Sequence, residues 1–276
     1  MCNFVKSSEM EMEENLKINS TQNPRIKRLV ELQQKSSVRR ESGLAVVEGR
    51  RELGHCIDAG FQIEEIYFCR QFCNDIDLGQ LSLSGSQMIE VSRQVYERIA
   101  YRGSTEGIIA IVRPRMLTLA DLHLSENPLI AVLESVEKPG NVGAVLRSAE
   151  AAGTDAVILC DSKTDLYNPN LIRSSIGSVF RIPVVECSSE ECILFLKSHG
   201  IRILTAQLQD SELYYHTDMR HATAIVMGTE DTGLTDAWRH AADAHIRIPM
   251  NGAMDSLNVS VSAAILLYEA VRQRNE

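Results

Sequence analysis

Along this chain, short unbroken apolar runs alternate with stretches whose apolar residues recur at helical spacing. Pro24 suits a first helical turn, and Ile26, Leu29, Val30 and Leu32 give that helix one buried stripe. Runs at 44–49, 64–69, 87–91 and 108–112 predict strands. Between them the spacing predicts helices at 50–60, closed by Gly60, and at 93–100, capped by Ser92. Residues 114–128 read as a linker with a short amphipathic turn. The alternation then resumes, with strands expected at 129–134, 156–160, 180–186, 201–207, 222–228 and 245–249. Helices are expected at 142–152, 189–199, 234–241 and 257–273. Strands that are apolar throughout belong to a parallel sheet covered on both faces, so the fold class is α/β. The pattern divides the chain into a small unit at 23–113 and a larger one at 129–276, behind a polar, acidic leader (1–22) expected to be disordered.

Net charge is −9, which argues against a polyanionic partner until its distribution is considered. Residues 23–51 carry Arg25, Lys27, Arg28, Lys35, Arg39, Arg40, Arg50 and Arg51 against only Glu31, Glu41 and Glu48. Residues 117–276 carry twelve basic and twenty-one acidic side chains. A basic front on an acidic body suits contact with phosphates, although a charge run can equally be a solvated helix face. No apolar run has the length of a membrane span, and the leader has no apolar signal core. The seven cysteines include no CxxC pair and none at zinc spacing to a histidine, which favours reduced thiols in a cytoplasm. No metal is expected.

In open α/β sheets, ligands bind beyond the carboxyl ends of the strands, so the chemistry is sought in the loops there. Three are rich in glycine and uncommon polar residues: 137–153, 227–234 and 248–264. In the first, Gly140 and Gly143 permit close approach of a ligand, and Asn141 offers donors and an acceptor. Arg147 is placed either to grip a phosphate or to pair with a nearby glutamate on the helix surface. In the second, Glu230 can meet Arg147, a substrate hydroxyl or nothing at all, and the segment can equally be a turn capping the helix from Leu234 through Asp231 or Thr232. In the third, Asp255, Ser256 and Asn258 are polar residues in an apolar setting, and Ser256 can cap the closing helix. The chain has no GxGxxG after a strand, no GxxxxGK[ST], no HExxH and no GxSxG, so dinucleotide, P-loop, zinc-protease and serine-hydrolase chemistries lack their signatures.

Taken together, the three loops resemble the signature motifs of the SpoU (TrmH) family of SPOUT RNA methyltransferases. Asn141, Gly143 and Arg147 match its N-x-G-x-x-x-R motif. Gly228, Glu230, Gly233 and Leu234 match G-x-E-x-x-G-L. Pro249, Met250, Gly252, Ser256, Leu257, Asn258, Val259 and Ser260 match P-M-x-G-x-x-x-S-L-N-V-S. Thr229 departs from the asparagine that many relatives carry there. Residues 168–184 resemble the family's intervening helix and strand, and 23–113 resemble the small substrate-binding domain of its ribosomal RNA members.

The resemblance implies a parallel-sheet SPOUT domain with a deep trefoil knot, and a homodimer contacting through the closing helix. It implies S-adenosylmethionine as methyl donor, bound near Met227, Gly228, Thr229, Ile248, Met250 and Leu257. Arg147 would be the central catalytic residue, with Asn141, Glu230, Ser256 and Asn258 positioning it and the ribose. The reaction would be methylation of a ribose 2′-hydroxyl, in 23S ribosomal RNA rather than tRNA, with Arg39, Arg40, Arg50 and Arg51 supplying RNA affinity. The rival readings are a tRNA methyltransferase, a non-catalytic RNA-binding assembly protein, and a nucleotide-binding α/β protein of another class.

Overall fold

The computed structural model describes residues 16–73, 86–101, 106–253 and 256–276. The first unit holds β1 (Leu16–Ile18), α1 (Pro24–Gln34), α2 (Ser36–Ser42), β2 (Ala45–Glu48), α3 (Arg50–Asp58), β3 (Gln62–Phe68), β4 (Gln87–Val91), α4 (Arg93–Ile99) and β5 (Ile108–Arg113). Its sheet runs β1-β4-β3-β5-β2, with β5 antiparallel to both neighbours. The expected disordered leader is corrected at its end. Leu16–Ile18 pairs in parallel with β4, and Ile18 is buried beside Ile89 and Val91. Residues 1–15 of that leader lie outside the described residues.

The second unit holds β6 (Leu129–Glu134), α5 (Pro139–Ala152), β7 (Ala156–Cys160), α6 (Pro169–Ser174), β8 (Val184–Cys187), α7 (Ser189–Ser198), β9 (Arg202–Ala206), β10 (Glu212–Leu213), β11 (Thr223–Met227), α8 (Asp236–Ala241), β12 (Ala244–Arg247) and α9 (Val259–Arg274). All seven strands are parallel, in the order β10-β12-β9-β11-β6-β7-β8. The run from 180 becomes a strand only at Val184, because Ser178–Phe180 winds into a 3-10 turn. The edge strand β10 was not legible as a run.

Central strands β6, β7 and β11 are buried along their whole length, as their unbroken apolar runs require. Alternate residues serve opposite faces. Leu129, Ala131 and Leu133 pack with α5 and α9, whereas Ile130 and Val132 pack with α7 and α8 around Trp238. The first of these cores continues into the other unit through Ala45, Val47, Leu53 and Cys56, so the two units share one core. The 114–128 stretch is a packed strap: Leu117 bridges to Val185, and Leu119, Leu122 and Leu124 lie on the α7–α8 core. The end of α9 clasps the entry to β6, where the Arg274 guanidinium donates to the carbonyls of Asn127, Pro128, Met219 and His221. Among the described residues, no helix is long and apolar enough to cross a membrane.

Candidate functional site

Because the sheet is parallel, the loops after β6, β11 and β12 emerge on one edge. Gly228 is required where the second loop doubles back, since a Cβ there would lie 2.3 Å from the Gly233 carbonyl oxygen. The loop is pinned by paired backbone bonds between Thr229 and Gly233, with Gly233 at φ +67°. Its far end is anchored by Glu134, the last residue of β6, which is buried and accepts from the Thr235 N–H (2.9 Å) and hydroxyl (2.7 Å). Thr235, not Asp231 or Thr232, is therefore the cap position of α8.

A cavity of about 350 Å³ opens among these loops. All six residues expected at a cofactor, Met227, Gly228, Thr229, Ile248, Met250 and Leu257, line it, as do Glu230 and Ser256. Gln207 and Leu208, after β9, also line it. Sequence reading missed them because that loop carries no glycine or unusual polar residue.

Beside the cavity the polar candidates form one network. The Asn141 amide donates to Glu230 Oε1 (2.8 Å), and the Asn258 amide donates to the same oxygen (3.0 Å) and to Asn141 Oδ1 (3.2 Å). Asn258, not Ser256, caps α9, accepting from the Ser260 N–H at 2.9 Å. Asp255 lies outside the described residues. Lys138, not singled out in the sequence, donates to Glu230 Oε2 at 3.0 Å. That bond, with help from Asn141 and the Val259 N–H, holds the Glu230 carboxyl below the ordinary carboxylate range. The ionised network is thus complete above the ordinary carboxylate range and is lost as pH falls through the lowered value. Lys138→Met is expected to raise the Glu230 titration midpoint, so that the loss begins at higher pH. A carboxyl-carbon NMR titration of Glu230 measures this, and an unchanged midpoint contradicts it.

Two expectations for the first loop are corrected. Gly143 serves helix packing, not ligand approach: a Cβ there would lie 1.9 Å from Ser174 Oγ and 2.6 Å from the Leu171 carbonyl, so its absence lets α5 rest on α6. Arg147 meets neither Glu230 nor the nearby Glu150, which pairs with Arg181 at 3.0 Å. Six residues beyond Asn141, it points about 120° away around the helix. Its guanidinium is exposed, makes no hydrogen bond or ion pair among the described residues, and lines a cleft of about 520 Å³ between the two units. Arg51, Tyr101, Asn170 and Arg173 share that cleft.

The four arginines expected to bind RNA divide into two kinds. Arg39 is only 5% exposed; it pairs with Asp165 at 2.6 Å and donates to the Leu32 and Gln33 carbonyls, tying the units together. Arg50 spends its side chain on the Phe72 and Glu106 carbonyls. Arg40 and Arg51 are exposed, the latter beside Glu52 at 3.5 Å. Arg39 and Arg50 therefore belong to the scaffold, and the surface charge rests on the other two. Charge reversal at Arg40 and Arg51 should weaken RNA binding and flatten its salt dependence by about two units of slope at most. Arg39→Ala should instead lower thermal stability, by about 3–5 kcal/mol, because it strands Asp165. Filter binding at several salt concentrations, with melting curves alongside, separates the two effects.

Comparison with known proteins agrees with this geometry. Residues 128–268 match the model of the SpoU rRNA Methylase family, and residues 23–110 match the MRM3-like substrate binding domain. The 23S rRNA (guanosine-2′-O-)-methyltransferase RlmB of Vibrio vulnificus is 35% identical over 205 residues, covering 71% of this chain and 82% of its own. A crystal structure of an RNA 2′-O ribose methyltransferase superimposes with a TM-score of 0.83 at 39% identity, covering 95% of this chain and all of the other. The AdoMet-bound rRNA methyltransferase of Sinorhizobium meliloti gives 0.85 at 28% identity, over 93% of this chain and 97% of the other. With two of the three signature loops folded around one cavity and the match running through both units, the chain belongs to the SpoU rRNA methylase family.

Proposed function

We propose that this protein transfers a methyl group from S-adenosylmethionine to a ribose 2′-hydroxyl of 23S ribosomal RNA. The carrying observation is the cavity at the carboxyl edge of β9, β11 and β12, bordered by the Asn141–Glu230–Asn258 network. Its residues fit the cofactor: Met227, Leu208, Ile248 and Leu257 offer apolar walls to an adenine, and the Gly228 turn exposes backbone polar groups to its edges. The bound cofactor supplies a methyl group already activated by its sulfonium charge.

The chain then has to align the ribose and manage one proton. Arg147 carries the fixed charge suited to a backbone phosphate and to an incipient alkoxide; a guanidinium does not serve as base. Asn141, Glu230 and Asn258 hold the loop edges, and Ser256 faces the cavity to meet the substrate. The first unit, with Arg40 and Arg51, supplies salt-dependent RNA affinity. The separation of Arg147 from the network favours a site completed by a second copy. Val261 and Tyr268 are exposed along α9 and Leu257 just before it, and a homodimer packed on that face brings two cavities to one seam. We also infer that the second unit carries the deep trefoil knot of this family, and that the protein works in the cytoplasm on ribosomal RNA.

The test is methyl transfer from radiolabelled S-adenosylmethionine to RNA from cells lacking the protein, with ribosomal RNA and tRNA separated afterwards. Label in 23S RNA as a ribose-methylated nucleotide is the expected result. Label in tRNA overturns the substrate, and failure to label or to bind the cofactor overturns the activity.

A further inference from the structure

Cys160, Cys187 and Cys192 converge at the carboxyl ends of the outer strands β7 and β8. Cys160 ends β7, Cys187 ends β8, and the two are register partners. Ser188 then caps α7 with a reciprocal bond to Glu191, which sets the first turn of that helix over the strand ends and delivers Cys192. The three Sγ atoms lie within 4.8 Å of one another, and all three thiols are free. Cys160 and Cys192 are buried, while Cys187 is partly exposed and opens the group to solvent. The β7–β8 position separates it from the cavity among β9, β11 and β12, so the methyl-transfer reading does not use it.

The geometry points to a binding site for a single soft monovalent metal ion, Cu(I), held by Cys160, Cys187 and Cys192. Thiolates select soft cations, and ligand number selects among these. Structural zinc takes four ligands. Here, among the described residues, no histidine or carboxylate oxygen joins the three sulfurs. The acids whose charge reaches Cys187 are committed elsewhere: Asp161 Oδ2 accepts from the Ser189 hydroxyl at 2.6 Å, and Glu191 Oε2 accepts from the Ser188 N–H (2.9 Å) and hydroxyl (2.7 Å). Three-coordinate d¹⁰ copper suits such a set, and the apolar walls of the α7–α8 core shield it from water. Cu(I) enters as the thiols release their protons to solvent through the Cys187 opening, and no electrons are exchanged.

The experiment is an anaerobic titration of the full-length protein with Cu(I) presented by a coloured chelator. One equivalent should be retained per chain, with a sulfur-only, three-ligand X-ray absorption signature and a raised melting temperature. Cys187→Ser, at the partly exposed position, should weaken retention on the order of a hundredfold, with the unliganded melting temperature and methyl transfer unchanged. Cys56→Ser, in the other core, should retain copper normally. Four results overturn the site: no retained copper, nitrogen or oxygen ligation, equal retention by Cys187→Ser, or preference for Zn(II). A disulfide among the three cysteines in anaerobically isolated protein overturns it as well.

Discussion

Arg147→Ala should lower methyl transfer about a hundredfold or more while leaving cofactor affinity and melting temperature near those of the wild type. The side chain is exposed and has no hydrogen-bond or ion-pair partner among the described residues, so its removal leaves no buried group unpaired. It is also outside the cofactor cavity. The loss should therefore fall on the methyl-transfer rate and on RNA affinity. Arg147→Lys keeps the charge but not the planar fork, and should recover RNA affinity better than rate. Single-turnover kinetics with saturating S-adenosylmethionine make the comparison. An alanine variant that retains full rate removes Arg147 from the mechanism.

The second large effect is on stability. Gly143→Ala inserts a Cβ against Ser174 Oγ and, more seriously, against the backbone carbonyl of Leu171. A serine hydroxyl can rotate, whereas the carbonyl moves only if α6 moves. Overpacking of this kind costs about 3 kcal/mol, equivalent to a fall of roughly 6–12 °C in Tm at two to four degrees per kcal/mol. Ser174→Gly in the same chain should restore only part of it. Because α6 carries Asn170 and Arg173 into the interdomain cleft, RNA affinity should fall along with stability. A variant that melts normally would mean that α5 and α6 adjust without cost.

The sequence showed the layout of the sheet's second unit and the loops that form the cavity, because apolar strands and glycine-rich turns are local signals. It did not show who meets whom. Arg39 reads as surface charge in any window, and only its partner Asp165, 126 positions later, makes it a buried tie. The same holds for Lys138 and Glu230, and for the three cysteines, whose spacing carries no ligand signature. Asn258 and Ser256 are equally good caps by composition; the choice is set by where α9 must begin to rest on α5. Gly143 looked like a ligand-binding glycine because the helix that crowds it lies on a separate segment.

The Arg274 clasp bears on when the protein becomes an enzyme. Strand β6 is made early, but its neighbour β11 and the helix that covers it follow about a hundred residues or more later. Such non-local pairing is slow to form, and during synthesis its partners are still inside the ribosome. Asn258 and Arg274, which seals β6 at Asn127 and Pro128, arrive later still. A chain halted before Asn258 would therefore leave the α9-facing side of β6 and β11 uncovered and lack one member of the Asn141–Glu230–Asn258 network, which leaves it open to proteases and chaperones instead of holding cofactor or RNA.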